Sequence, residues 1–294
     1  MIPNETTMDF AWKAPDGEVL PARAWGPSRP PRATIICLHG MGGSVGDFDP
    51  FGTRLAAEGF ACAALTMRGQ GMDPSTDRRG FYFDVQEIGG DLSAFADEMR
   101  EDFGARDLVV CGESLGALVA ARVLATDGLS DARAAIFSAP VVALARETPW
   151  IAREALALLS RLLPRGRLSP AWFVTGGPSS PKTSRDEEWN AMQQASPHRI
   201  RAFGFQVIHR VGQLIAEMPE IAPKIRIPSL VLCAGRDVFV REEQVREWFA
   251  LVGADDKELQ AYPEAFHVLW NDLDRELVLD GISNWLNARF ENSV

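Results

Sequence analysis

No run of apolar residues in this 294-residue chain approaches the ~20 needed to span a bilayer, so no transmembrane helix is expected. The opening stretch to Trp25 is broken by Pro3, Pro15 and Pro21 and has no basic start followed by an apolar run, so no secretory leader is expected. Positive charge is in deficit: 30 Lys and Arg stand against 40 Asp and Glu, a net charge of -10. A nucleic-acid partner is thereby excluded, since it would need a concentrated basic face. Cysteine is scarce. Cys37, Cys62, Cys111 and Cys233 each lie in or beside a short apolar run, which predicts buried free thiols rather than a disulfide framework and favours a cytoplasmic location. His, Cys and acidic residues nowhere cluster with the spacing of a metal site, and there is no internal repeat or low-complexity tract.

What is present is an ordinary globular composition, 46% hydrophobic and 24% charged, arranged as an alternation of strand-length and helix-length segments. Strands are predicted at Phe10 to Trp12, Val19 to Trp25, Thr34 to Leu38, Ala61 to Leu65, Leu108 to Cys111 and Ala134 to Phe137. Helical patterns near Phe51 to Glu58, Ile88 to Phe103 and Leu115 to Leu124 separate the later ones, which implies a mostly parallel sheet covered on both faces. From 141 to 222 no strand is predicted. The alternation then resumes with Leu230 to Cys233, a helix near Glu242 to Leu251, Glu258 to Tyr262 and a closing helix near Asp274 to Phe290. The economical reading is a core of residues 1–140 and 223–294, with 141–222 inserted after the sixth core strand.

Residues 108–116 read LVVCGESLG, an apolar strand running into Gly112-Glu113-Ser114-Leu115-Gly116 and then a helix. Gly-x-Ser-x-Gly in that context permits a tight strand-to-helix turn that leaves the serine Oγ exposed above the sheet, and the helix aims its N-terminal amides at a developing oxyanion. Ser114 is therefore the predicted nucleophile. The strand TIICL ends in His39-Gly40-Met41-Gly42-Gly43, and the two donors that acyl transfer needs are predicted to be the backbone amides of Met41 and Leu115. This loop is not read as a phosphate cradle, since it has neither a Gly-Lys-Ser/Thr ending nor a dinucleotide glycine pattern. His39 and Gly40 are expected to border the substrate, with His39 bracing the loop rather than exchanging protons.

Of the four histidines, His39 precedes the serine and His198 and His209 lie in the insertion. Only His267, in YPEAFHVLW, satisfies the order serine, acid, histidine. Asp237, at the carboxyl end of the strand LVLCAG, is the predicted acid, because a carboxylate that holds a histidine tautomer must be buried. Asp255, Asp256, Asp272 and Asp274 compete for that role but read as parts of solvated turns or helix starts.

These motifs resemble the monoacylglycerol lipase and lysophospholipase branch of the α/β-hydrolases. The resemblance covers nearly the whole chain through HGMGG at 39–43, MRGQG at 67–71, GESLG at 112–116, FSAP at 137–140, AGRDVFV at 234–240 and YPEAFHVLWND. It implies an α/β-hydrolase fold, Asp237 and His267 as acid and base, and a helical lid at 141–222. Two departures stand out. Arg68-Gly69-Gln70-Gly71-Met72-Asp73 replaces the Arg-Gly-His-Gly-x-Ser common in the group, and the insertion matches only in patches around SRDEEW and QASPHRIRAFGF.

Within the insertion, Ile151, Ala155, Leu158, Leu159 and Leu162 fall near one face of a helix, with Arg153 and Arg161 on its flank. The insertion carries ten Lys and Arg against seven Asp and Glu, a balance compatible both with transient contact at a membrane surface and with ordinary packing on the core. Trp150, Trp172, Phe173, Phe203 and Phe205 are the aromatic residues expected to line an acyl pocket. The expected chemistry is two-step hydrolysis of a small-molecule ester or lipid through an acyl-enzyme, with no metal or organic cofactor. A short-chain carboxylesterase, a thioesterase or a peptidase would use the same groups, and a binding protein of this fold would retain them without turnover.

Overall fold

The computed structural model describes residues 7–126, 128–146, 149–169 and 181–290, and in Trp150 the backbone only. Trp172, Phe173 and most of the 176–181 loop lie outside the described residues.

The chain opens with β1 (Thr7–Lys13) and β2 (Val19–Trp25), followed by β3 (Thr34–Leu38), α1 (Asp49–Ala57), β4 (Ala61–Leu65), α2 (Val85–Phe103) and β5 (Leu108–Glu113). Next come α3 (Leu115–Leu124) and β6 (Ala132–Ser138). After the segment between β6 and β9, the chain returns through β9 (Ser229–Ala234), α7 (Glu242–Leu251), β10 (Lys257–Tyr262) and α8 (Arg275–Asn287). These strands form one eight-stranded sheet in the order β1-β2-β4-β3-β5-β6-β9-β10. β1 and β2 run antiparallel to their neighbours, and every pair from β4 to β10 is parallel.

The central strands are buried on both faces, which is why they read as unbroken apolar runs rather than as alternating ones. Ile35, Cys37, Val109 and Cys111 pack toward α1 and α8, in a cluster with Phe51, Leu55, Ile282 and Trp285. Ile36, Leu38, Leu108 and Val110 point the other way, toward Leu92, Phe95 and Met99 of α2, and toward α3. All four cysteines are free and buried in this sheet, as the apolar runs around them predicted. Local chemistry sets the element ends: Asp84 caps α2 by accepting from the amides of Gln86 and Glu87, and Gly104 closes it in the left-handed region at φ 69°.

Between β6 and β9 the described residues form α4 (Trp150–Leu162), β7 (Arg167–Leu168), α5 (Glu187–Ala195), β8 (Phe203–Gly204) and α6 (Phe205–Ile221). The expectation of no strand here is corrected by a small antiparallel ribbon that pairs Arg167 with Gly204 and Leu168 with Phe203. Two residues per strand are too few to leave a period in the sequence. The apolar stripe of α4 faces outward, with Ile151, Leu158 and Leu162 each more than half exposed. No described helix is long and apolar enough to cross a membrane.

The order of strands reverses around β3, and a ligand crevice is expected outside the carboxyl ends of the strands at such a point. There the start of α3 passes directly against the end of β3. A Cβ on Gly116 would stand 2.1 Å from the Leu38 carbonyl oxygen, and one on Gly112 would stand 2.5 Å from the Ala117 nitrogen. Both obstacles are backbone, so no rotamer change relieves them. Gly116→Ala is therefore expected to lose at least the ~1–3 kcal/mol typical of overpacking, read as a lower urea midpoint; unchanged stability would show that β3 and α3 tolerate separation.

Candidate active site

Ser114 occupies the turn between β5 and α3 with φ 54° and ψ -114°, a conformation that a residue with a side chain rarely adopts. Its amide donates to the Ser138 carbonyl at 2.9 Å, which fixes the turn to the end of β6. Leu115, the first residue of α3, has a backbone N–H that finds no acceptor among the described residues, as helix geometry dictates for a first-turn amide. The same holds for the Met41 amide, across the crevice on the loop after β3. Ser114, Leu115, Gly40 and Met41 all line one cavity of about 790 Å³.

The glycine loop is held from below. Gly43 donates to the Gly40 carbonyl at 3.0 Å, and Gly42, at φ 75°, donates to Gln70 Oε1 at 2.8 Å. Gln70 stands where the resembling group has histidine, and here it takes up the Gly42 amide. Asp73, which stands where the same loop of the group has serine, is fully buried and accepts from the amides of Gly69 and Ser75 and from Arg78. Arg68 completes this support by pairing with Asp91, Asp16 and Glu87 while buried itself.

His39 is fully buried and does not line the cavity, so the expectation that it borders substrate is corrected. Its Nδ1–H donates to the Gly40 carbonyl at 2.8 Å, and its Nε2 accepts from the Met67 amide at 3.1 Å. Burial lowers its pKa, only partly opposed by the Gly40 carbonyl, and keeps the ring neutral as that accepting nitrogen requires. It is a brace between two loops. Phe205 is likewise absent from the cavity wall, because its ring lies over Gly166; Phe203 lines the wall in its place.

Asp237 follows β9 and His267 follows β10. Asp237 is buried, and its Oδ1 accepts from the Phe239 amide at 2.8 Å and the Val240 amide at 3.4 Å. Its Oδ2 stands 2.7 Å from His267 Nδ1. Because an ionised carboxylate only accepts, Nδ1 carries the proton and Nε2 is left as the basic nitrogen. The Phe239 ring packs against the imidazole with centroids 4.6 Å apart. His267 lines the same cavity as Ser114. The arrangement thus combines a strained serine, a histidine of fixed tautomer backed by a buried carboxylate, and two unengaged amides.

The sequence profile described as serine aminopeptidase, S33, matches residues 29–274. The chain belongs to the serine aminopeptidase S33 family. Among curated relatives of this S33 protein, a monoacylglycerol lipase of Mycolicibacterium smegmatis is 26% identical over 271 residues, covering 89% of this chain and 90% of the relative. A monoglyceride lipase of Mus musculus is 25% identical over 281 residues, covering 93% and 88%. The solved structure of a soluble variant of monoglyceride lipase from Saccharomyces cerevisiae, in complex with a substrate analog, superposes with a TM-score of 0.80 at 18% identity, covering 99% of this chain and 97% of that one. The fold of the S33 protein is accordingly the α/β-hydrolase fold.

Asp272, expected from its polar surroundings to lie in a solvated turn or helix start, is fully buried. Its carboxylate accepts from the Phe266 amide at 2.7 Å, next to His267, and from the Arg185 amide at 2.7 Å and guanidinium at 3.0 Å. It thereby ties the histidine loop to the segment that enters α5. Burial pushes its pKa up, but the amides of Phe266, Arg185 and Leu273 and the Arg185 guanidinium outweigh this and hold it below the ordinary 3.8. A depressed folded-state pKa contributes stability that is fully present above the unfolded value and is lost as pH falls through the folded one. Asp272→Asn is expected to be less stable than the parent at pH 7, with the gap closing below pH 3.8 in urea titrations; a gap that persists undiminished in acid would contradict the charge account.

Proposed function

We propose that the protein is a serine hydrolase that cleaves carboxylic esters of lipids, with monoacylglycerol or lysophospholipid-type esters as its substrates. The observation that carries this reading is the single cavity in which Ser114 and His267 meet an apolar wall of Leu118, Val142, Leu156, Ile208, Val211 and Ile215. At about 790 Å³ it has room for an extended acyl chain, far more than an acetyl group needs. The names of the two lipase relatives point the same way.

In this mechanism His267 Nε2 takes the proton of Ser114 Oγ as that oxygen bonds to the ester carbonyl carbon. The amides of Met41 and Leu115 hold the resulting oxyanion, at no cost in reorganisation because neither has another acceptor. The bond to the alcohol oxygen breaks, and His267 passes its proton to that oxygen. Water then repeats the sequence on the acyl-enzyme and releases the acid. Asp237 keeps the imidazole in the required tautomer and stabilises its charged form.

Residues 141–222 act as a lid over this cavity. One side of α4 contributes Ala152 and Leu156 to the wall, and the opposite side carries the exposed Ile151, Leu158 and Leu162, with Arg161 and Arg165 exposed nearby. That outer stripe suits transient contact with a lipid surface. The four buried free thiols favour a reducing compartment, the cytoplasm.

A fluorophosphonate probe is expected to label the native protein and to fail on Ser114→Ala. Turnover of glyceryl esters should rise from acetyl to longer acyl chains; a preference for acetyl over all longer chains would overturn the lipid assignment. The double variant Leu158→Glu, Leu162→Glu is expected to sediment with vesicles of mixed neutral and anionic phospholipid at least fivefold less than the parent. Equal sedimentation would remove the role of the stripe.

A further inference from the structure

His267 stands in the segment 263–274 between β10 and α8, and the core grips that segment some way to either side of the histidine. Upstream, the Ala265 amide donates to the Tyr262 carbonyl at 3.1 Å, and the Ala265 carbonyl accepts from the Arg236 amide at 3.0 Å. Downstream, the side chains of Trp270 and Asn271 donate to the Asp47 carbonyl. The residues directly flanking His267 are held differently. The Val268 amide donates to the Thr183 carbonyl at 3.1 Å, and the Phe266 amide donates to Asp272 Oδ2 at 2.7 Å. Thr183 belongs to the insertion, and so do two groups that fix the Asp272 carboxylate.

Those groups are Ser184 and Arg185. The Arg185 amide donates to Asp272 Oδ1 at 2.7 Å and its guanidinium to Oδ2 at 3.0 Å, while Nη2 stands 2.7 Å from Asp274. Ser184 is fully buried; its Oγ donates to the Asn271 carbonyl at 2.7 Å and lies 3.2 Å from Asp272 Oδ1. The same hydroxyl accepts from the Asp186 amide at 2.9 Å, and Asp186 caps α5 by accepting from the amides of Glu188 and Trp189. One short strap thus runs from the peptides on both sides of His267 into the first turn of a helix whose Trp189, Asn190 and Gln193 line the cavity. Asp237 and the Phe239 ring set the tautomer and packing of the imidazole, but they touch only its side chain.

We infer that Ser184 and Arg185 are positioning residues for His267: through the strap 183–186 the insertion sets the reach of the base toward Ser114, besides covering the cavity. Proton transfer needs Nε2 within hydrogen-bond reach of the serine oxygen, and a misplacement of about 1 Å costs about 100-fold in rate. A strap that served stability alone would lower the urea midpoint and leave turnover by the folded protein untouched. The inference rests on the serine-hydrolase reading and gives the insertion a second task within it.

The test measures kcat and KM on 1-decanoylglycerol, and the rate of fluorophosphonate labelling, for the full chain and for variants whose urea midpoints show them folded. Arg185→Ala is expected to lower kcat and the labelling rate at least tenfold with KM within threefold of the parent, the signature of a group that acts on the chemical step. Arg185→Lys, which returns a cation to Asp272, should come back to within threefold of the parent. Ser184→Ala leaves no buried charge unpaired and is the second variant should Arg185→Ala not fold; a fall in kcat of at least threefold is expected. Arg122→Ala removes another ion pair between core and insertion, to Glu217 at 3.3 Å, that touches neither flank of His267, and should keep kcat within twofold. Parental kcat in the folded Ser184 and Arg185 variants overturns this inference alone. So does a rise in KM at parental kcat, or an equal fall in Arg122→Ala, which would mean general loosening of the insertion. A parent that neither reacts with the probe nor cleaves the ester overturns the hydrolase reading together with the inference.

Discussion

The site depends on backbone meeting backbone where β3 ends and α3 begins. At Gly116 a missing Cβ lets the helix start within contact distance of the Leu38 and His39 carbonyls, and at Gly112 it lets the strand fold back on Ala117. With side chains out of the way, the turn can swing Ser114 into a left-handed conformation and aim it across the sheet edge. The strain at Ser114, at φ 54°, persists because the surrounding pairs of β5 with β3 and β6 over-determine the backbone on either side. Everything else in the crevice is arranged around that fixed point.

The loops that converge there are held by buried polar groups rather than by the sheet itself. Gln70 reaches Gly42, His39 reaches Met67, Asp272 reaches Phe266 and Arg185, and Asp237 reaches Phe239. Asp47 does the same with its main chain, since its carbonyl accepts from Trp270 Nε1 at 3.2 Å and Asn271 Nδ2 at 2.8 Å. The Trp270 ring is packed between Phe48 and Phe51, with centroids 5.3 and 5.1 Å away. Apolar packing thus fixes the same segments that the hydrogen bonds orient, which gives each catalytic candidate both a location and a direction.

The strands were legible because burial on both faces leaves continuous apolar runs, and the glycine turns were legible because only glycine meets their steric demand. Ser114, Asp237 and His267 could be named from chain order and strand ends, and the fold brings the last two within 2.7 Å of each other. Other features depended on tertiary neighbours that no local pattern encodes. Asp272 sits in the polar-looking stretch WNDLD, and its burial follows from Arg185, 87 positions earlier in the chain. Phe203 and Phe205 are two residues apart, yet one reaches the cavity and the other covers Gly166, because β8 gives way to α6 between them.

The four thiols carry a consequence for how the molecule comes apart. Cys37 and Cys111 face each other across β3 and β5, Cys62 lies on β4, and Cys233 lies on β9. Burial holds the thiols of Cys37, Cys62 and Cys233 in the unreactive protonated form. An electrophile in solution therefore reaches Cys37, Cys62 and Cys111 only once the helices that cover this face of the sheet, α1 and α8, lift away from it. The rate at which these sulfurs react therefore times the moment at which the sheet loses its cover.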